Sequence, residues 1–464
     1  MSNAIRETGE GANGITSGVI WKQLLSFFFP ILLGIFFQQL YNTVDAVVVG
    51  QFVGKEALAA VGGSTGTLIN LLIGFFVGLS SGATVIISQF YGGQQEEQVS
   101  KAVHTAASLS LVVAMLFTIA GLAFSVPALR AMGTPEDIMG HATIYIQVYF
   151  AGIIFPIIYN MGSGILRAVG DSKRPLYFLI VSCMVNVVLD ILLVAIFKMG
   201  VLGAALATVL SQAASAVLVL MALTKTPACY RLDRERLAMD RKILGDIIRI
   251  GCPAGLQSVM YSASNIIIQA TINTFGTNII AAYTAYGKID GFYWMIMSAF
   301  GVSITTFVGQ NFGAQLYGRI RKSVRVCLAM AMGTAIGISI LLMFAGPYCY
   351  RLFTTDAEVI ADGMRMLRQL VPFYFTYVCI EILAGAVRGT GDSFIPMVMT
   401  CLGVCVLRVA WIWIAVPYNP VIDTVLFSYP LTWSFTSVLF IIYYLQGGWL
   451  RRRIQQMGFR PEER

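Results

Sequence analysis

The amino-acid sequence predicts an all-α membrane protein, with twelve transmembrane helices in two pseudo-twofold-related six-helix bundles. Three observations carry this. Hydrophobic residues fill 57% of the 464 positions and charged residues only 12%, against roughly 45–50% and about 25% in soluble domains, so lipid is the main solvent. Apolar runs such as Leu24–Val49, Leu68–Ile87, Ala106–Val126 and Leu176–Phe197 meet or approach the ~20 residues that a helix needs to cross the hydrocarbon core. The chain also matches itself at a fixed offset, the mark of an internal duplication.

With glycines, prolines and charged clusters as boundaries, spans begin near residues 22, 57, 102, 138, 175, 202, 247, 279, 324, 361, 395 and 422. Residues 1–21 read as a cytoplasmic N-terminal lead-in in which Ser2-Asn3-Ala4 resembles an expression scar. No cleavable signal peptide is expected, because Leu24 onward continues as a full span without a small-residue cleavage site. Residues 22–224 form the N-lobe, 225–246 a cytoplasmic linker, 247–446 the C-lobe and 447–464 a basic cytoplasmic tail. The linker stretch RLDRERLAMDRK reads as a solvated segment rather than an interfacial helix. Many glycines lie inside spans, as do Gly74, Gly78 and Gly82, and small residues there let helix backbones approach closely, which suits a packed bundle.

Lys and Arg gather in the loops after even-numbered spans: Arg167, Lys173 and Arg174; the run from Lys225 to Lys242; and Arg319, Arg321, Lys322 and Arg325. The positive-inside rule then puts those loops and both termini in the cytoplasm, as suits a bacterial or archaeal inner membrane. The net charge of +8 is thus a topology signal, and no nucleic-acid partner is expected. Eight cysteines without a CxxC or Cys/His cluster support neither a disulfide framework nor a zinc site.

At an offset of 221, Gln89, Gly92, Gln94, Lys101, Arg130, Thr134, Gly164, Arg167, Gly170, Asp171, Ser172 and Pro175 meet the same residue types at Gln310, Gly313, Gln315, Lys322, Arg351, Thr355, Gly385, Arg388, Gly391, Asp392, Ser393 and Pro396. Each half has an even number of spans, so the halves share one orientation and are related by an axis along the membrane normal, with a substrate cleft between them.

Ionisable groups inside spans are expensive and call for a partner or a purpose; here they are Asp45, Asp190, Lys288, Asp290, Glu381 and Arg408. Asn186 and Asp190, four apart, share one helix face. Asp45, Asp190 and Thr208 all fall within the outer half of the membrane, about five, nine and five residues from the outer ends of their spans. Two carboxylates, an amide and a hydroxyl supply hard oxygen ligands for sodium, and carboxyls withdrawn from water also carry protons; either ion fits. A polar knot that only fixes helix packing is the alternative. Amides inside a span favour protein or water, so Gln38, Gln39 and Asn42 join Tyr41, Tyr159, Tyr261 and Glu381 as substrate-cleft candidates. Lys288 and Asp290, two apart, do not face each other; Arg408 either pairs with Glu381 or Asp290 across helices, or these charges stay open to the cleft and admit anionic or zwitterionic substrates.

The repeated R-x-x-G-D-S-x-x-P at Arg167–Pro175 and Arg388–Pro396, with YNTVDAVVVGQFVG at Tyr41–Gly54 and GVLGAALATVLSQ at Gly200–Gln212, resembles transporters of the multidrug and toxic compound extrusion (MATE) family over essentially the whole chain. Within the family it is similar to the prokaryotic DNA-damage-inducible-F-like branch. The resemblance implies efflux of varied, often cationic, small molecules driven by a proton or sodium gradient, no cofactor beyond that ion, and a monomer working in the lipid bilayer. It also implies a first-lobe cation site at Asp45, Asn186, Asp190 and Thr208, and a hinge at Pro30, where the missing backbone donor permits a kink. The second lobe departs from the first: Asn186 aligns with Leu407 and Asp190 with Trp411, so no duplicate site is expected there. A lipid or glycan-precursor flippase of related fold is the alternative reading. A membrane enzyme is disfavoured, since the chain has no GxxxxGK[ST] or HExxH motif and no paired histidines.

Overall fold

The computed structural model describes residues 14–459; residues 1–13 of the expected lead-in, including Ser2-Asn3-Ala4, and 460–464 of the tail lie outside them. The described chain makes twelve helical passes. They are α1 (Ile20–Phe52), α2 (Lys55–Gly92, broken at Gly63), α3 (Glu96–Ala131), α4 (Glu136–Ala151 and Ile154–Ala168), α5 (Lys173–Ile196), α6 (Gly200–Lys225), α7 (Arg241–Ile272), α8 (Thr277–Gly313), α9 (Tyr317–Arg351), α10 (Ala357–Gly389), α11 (Phe394–Tyr418) and α12 (Ile422–Leu445). A short α13 (Gly448–Gln456) follows. Ten passes are each long and apolar enough to span a bilayer, and α4 adds an eleventh as a pair bent by 49°. The remaining pass, α7, is 32 residues long, and its apolarity is diluted by Gln257, Ser258, Ser262, Ser264, Asn265 and Gln269.

The repeated R-x-x-G-D-S motif builds the same turn twice. Gly170 and Gly391 adopt φ of +95° and +93°, a conformation that glycine reaches without Cβ strain. The aspartate that follows then accepts backbone N–H groups of the next helix: Asp171 from Lys173 and Arg174, both at 3.1 Å, and Asp392 from Ile395 at 3.4 Å.

The two lobes meet along helix seams of unequal depth. Along α2 and α7, a methyl group on Gly78 would lie 2.3 Å from Gly255 N, and one on Gly82 2.4 Å from Ile247 O. A methyl on Gly74 would lie 2.7 Å from the Ser258 hydroxyl, so the seam passes from backbone contact at Gly78 and Gly82 to side-chain contact one turn earlier. Between α1 and α8 the partners are aromatic: Phe28 stacks on Phe300 with ring centroids 4.1 Å apart, and Phe27 meets Phe307 edge-on at 6.3 Å. These lie near the end of the bundle that bears the described termini, called here the terminal face.

Two connections differ from their expected form. The linker is docked rather than solvated: His104 Nε2 accepts the Asp233 N–H at 3.0 Å and Thr105 Oγ1 accepts that of Asp240 at 3.1 Å, while Leu232 is buried. Asp240 caps α7, which starts at Arg241, ahead of the expected 247. At the N-terminus, Arg319 of α9 donates to the carbonyls of Ile15, Ser17 and Gly18 over 2.6–3.1 Å. Each lobe's leading segment is thereby bound by the third helix of the other.

Candidate functional site

Asp45 on α1, Asn186 and Asp190 on α5 and Thr208 on α6 come together inside the N-lobe. Asp45 lies seven residues before the end of α1, Asp190 six before the end of α5 and Thr208 eight after the start of α6. At ~1.5 Å per residue the three are level to within about 3 Å, against about 6 Å for the depths counted from the sequence. All four residues are buried. The Asp45 and Asp190 carboxyls are within hydrogen-bonding reach of one another, and Tyr145 of α4 and Thr208 also face Asp45. Thr208 donates its hydroxyl to Ala204 O at 3.0 Å, leaving its oxygen lone pairs for the site.

The polar atoms here are not consumed by the protein. Oδ1 of Asp45, both carboxyl oxygens of Asp190 and both amide atoms of Asn186 are buried without a hydrogen-bond partner. Neither carboxyl has an ion-pair partner among the described residues. Towards the far face, Val48, Val49, Ala57, Val194, Val201 and Ala204 pack into an apolar cluster with Tyr145, keeping the surroundings dry. Immediately after Asp190 the α5 helix widens into a π-helical segment, Ile191–Ile196, with Phe197 N bonding Leu192 O at 2.8 Å. Such turns recur at functional positions of helices.

The cleft candidates divide between the lobes. Gln38 and Tyr159 line a cavity of about 70 Å³ beside Pro30, enclosed by α1, α4 and α5. Tyr41 is buried and accepts from Gln212 Nε2 at 2.8 Å. Gln39 and Asn42 are exposed, joined by a long 3.5 Å contact. In the C-lobe, Tyr261 has its hydroxyl buried and unpartnered, while Glu381 lies against Gly301 of α8 and accepts from Tyr377 at 3.2 Å.

The expected charge network does not form. Asp290 is held by Tyr374 Oη at 2.5 Å and by the Trp294 indole N–H. Arg408 donates to Thr432 at 2.9 Å and lies over the Tyr429 ring at 4.1 Å, and Lys288 is exposed, on the face away from Asp290. Hydroxyls, an indole and an aromatic face replace the ion pair, each charge being solvated by neighbours in its own lobe.

Sequence reasoning passed over Tyr145 and Gln212. Gln212 could have been found as an amide inside a span, four residues after Thr208 and so on the same face. Tyr145 carries no such signal, because an aromatic in an apolar run reads equally well as packing.

The MatE family model matches the chain twice, over residues 30–192 and 253–414, together more than half of its length. The chain belongs to the MatE family. Each copy falls within one half of the duplication read from the sequence. Members of the family are transporters, not enzymes, and act on small molecules in the membrane, so the chain is a multi-pass membrane transporter. The probable multidrug resistance protein YoeA of Bacillus subtilis is 28% identical over 446 residues, covering 94% of this chain and 96% of its own length. The probable multidrug resistance protein YpnP of the same organism is 27% identical, covering 94% and 98%. A solved outward-facing conformation of a multidrug resistance MATE family transporter superposes with a TM-score of 0.88 at 24% identity, covering 96% of this chain and 99% of that one. The MatE assignment thus extends to a shared twelve-helix architecture.

Proposed function

We propose that this MatE chain is a secondary active exporter of organic, often cationic, compounds, exchanging them for protons or sodium ions by alternating access. One observation carries the reading: two buried carboxyls side by side, with no ion-pair partner among the described residues. Two like charges ~4 Å apart repel by about 4 kcal/mol even at an effective dielectric of 20, so the pair favours an arriving proton or metal cation. The unpartnered oxygens of Asp45, Asn186 and Asp190, with Thr208, suit sodium, and the carboxyl–carboxyl contact suits a shared proton.

The cycle follows from the architecture. With the terminal face as the cytoplasmic one, the lobes are held together there and the cleft opens outward. Cation entry at Asp45 and Asp190 then favours substrate release, and cation loss inward accompanies substrate loading. Pro30, beside its small cavity, is the position at which α1 has room to bend. The chain acts as a monomer in a prokaryotic inner membrane, with both termini inside.

Reconstitution into liposomes with an imposed proton or sodium gradient, read by efflux of a fluorescent organic cation, tests this. Asp45→Asn and Asp190→Asn are each expected to abolish gradient-driven transport while the protein stays folded, and the gradient that drives the wild type names the ion. Full activity in both variants would overturn the proposal.

A further inference from the structure

The cavity beside Pro30 holds a second charge, which the coupling cycle does not use. Its polar lining is Gln38, Tyr159, Asn160, Arg167 and Ser172, without a carboxylate. Arg167 is half-buried, and its Nε is fully buried with no hydrogen-bond partner. Among the described residues no carboxylate forms an ion pair with the guanidinium, and Tyr159 is the ionisable neighbour that acts on it. Asp171, four residues on, is engaged elsewhere, by the N–H groups of Lys173 and Arg174 and by the Arg174 guanidinium at 3.1 Å.

The duplication supplies an internal control. Arg388 occupies the equivalent place in the C-lobe, 221 residues on, and its Nε is likewise buried and unpartnered. There an acid sits two helical turns away on the same face: Glu381, seven residues earlier, feels the Arg388 charge. The N-lobe equivalent of Glu381 is Asn160. The same arginine therefore shares its helix face with a carboxyl in one lobe and with an amide in the other. A cavity stands beside the one that lacks it.

We infer that the N-lobe cavity is an anion site, in which Arg167, with the Gln38 and Asn160 amides and the Ser172 hydroxyl, receives a halide or the carboxylate of a small solute. A buried water needs about 10–15 Å³ of such volume, so about 70 Å³ accommodates one compact anion with a little water and excludes a bulky one. A planar guanidinium suits either ligand and binds carboxylate bidentately. Pro30 and its neighbours in α1 form one wall, so a change in the course of α1 would reshape the site. The site does not depend on the cation reading, because none of its residues belongs to the Asp45–Asp190 group.

The purified full-length protein is tested by thermal unfolding at constant sodium and ionic strength, with chloride, bromide or acetate replacing gluconate, which is too large for the cavity. A rise of about 2–4 °C in midpoint at saturating small anion is expected for the wild type. It should vanish in Arg167→Gln and in Asn160→Glu, which rebuilds the C-lobe arrangement, and persist in Arg388→Gln and Asp45→Asn. A response to acetate alone assigns the site to carboxylate-bearing solutes, whereas a response to the halides as well assigns it to inorganic anion. A bromide-soaked crystal should show its anomalous peak at the Arg167 guanidinium, a reading that requires no variant to fold. No midpoint shift with any small anion, a shift undiminished by Asn160→Glu, or bromide found only elsewhere overturns the inference.

Discussion

Gln89 and Gln310, 221 residues apart, make the same hydrogen bond in opposite directions across the lobe boundary. Gln89 Nε2 donates to the Gly389 carbonyl at 2.8 Å and Gln310 Nε2 to the Ala168 carbonyl at 2.6 Å, and 168 and 389 are themselves 221 apart. Beside them the backbones touch: a methyl on Gly92 would lie 2.0 Å from Gln310 O, and one on Gly313 1.8 Å from Gln89 O. The most regular part of the duplication is therefore the joint between the lobes at the terminal face. A twofold-related contact closes and opens as one unit, which is what a gate requires.

Replacing both glutamines by alanine should favour opening of that joint. Each buried bond is worth about 1 kcal/mol net, so the double variant is expected to shift the closed-to-open equilibrium by roughly thirtyfold. Spin labels replacing Lys173 and Lys322 on a cysteine-free background would report it as a longer distance population. An unchanged distribution would mean that the seam glycines and the aromatic contacts hold the joint without the glutamines.

The α2–α7 seam gives a steric prediction. Gly78→Ala places a methyl against the Gly255 backbone, which cannot move aside, and overpacking of this kind costs about 1–3 kcal/mol. Gly333→Ala on α9 meets nothing within 4 Å and should be neutral or slightly stabilising through helix propensity. Thermal midpoints in detergent compare the two. Equal midpoints would show that the seam relaxes.

How much was legible in the sequence depended on whether a feature was local. The passes and the twofold relation are periodic, and period survives in one dimension. The approach of Asn186 to Asp190 is one helical turn, and the depths of Asp45 and Thr208 could be counted from helix ends. Arg408 was misread because a charge inside a span suggests an opposite charge. A Tyr429 ring and a Thr432 hydroxyl on the next helix satisfy it as well, and no spacing announces them. The docked linker was missed for a similar reason, since its polar composition is that of a solvated loop and its partners are single backbone N–H groups.

Tyr145 is predicted to tune the cation site without being essential to the fold. Its hydroxyl faces Asp45, and Tyr145→Phe keeps the ring that packs with Val48 and Ala205. The hydroxyl favours the charged carboxyl, so its loss should tighten proton binding at Asp45 about tenfold, measured by the pH dependence of sodium binding in titration calorimetry, with the thermal midpoint nearly unchanged. A drop of many degrees would instead make Tyr145 a packing residue.

Arg408 and Asp290 are expected to act independently. Arg408→Met removes the bonds to Thr432 and the stacking on Tyr429, and Asp290→Asn disturbs the bonds from Tyr374 and Trp294, but the two changes share no direct contact. In a double-mutant cycle on thermal stability, sites without shared partners add to within about 0.3–0.5 kcal/mol, whereas a direct ion pair gives a coupling of about 0.5–3 kcal/mol. Because Tyr429 bonds to Tyr283 at 2.8 Å and Tyr283 stacks on Tyr286, which in turn bonds to Tyr374 at 3.1 Å, a chain of aromatic contacts does connect the two charges. A coupling above about 0.5 kcal/mol that disappears when Tyr283→Phe is added would identify that chain as the link. A coupling that survives the change would restore the ion pair.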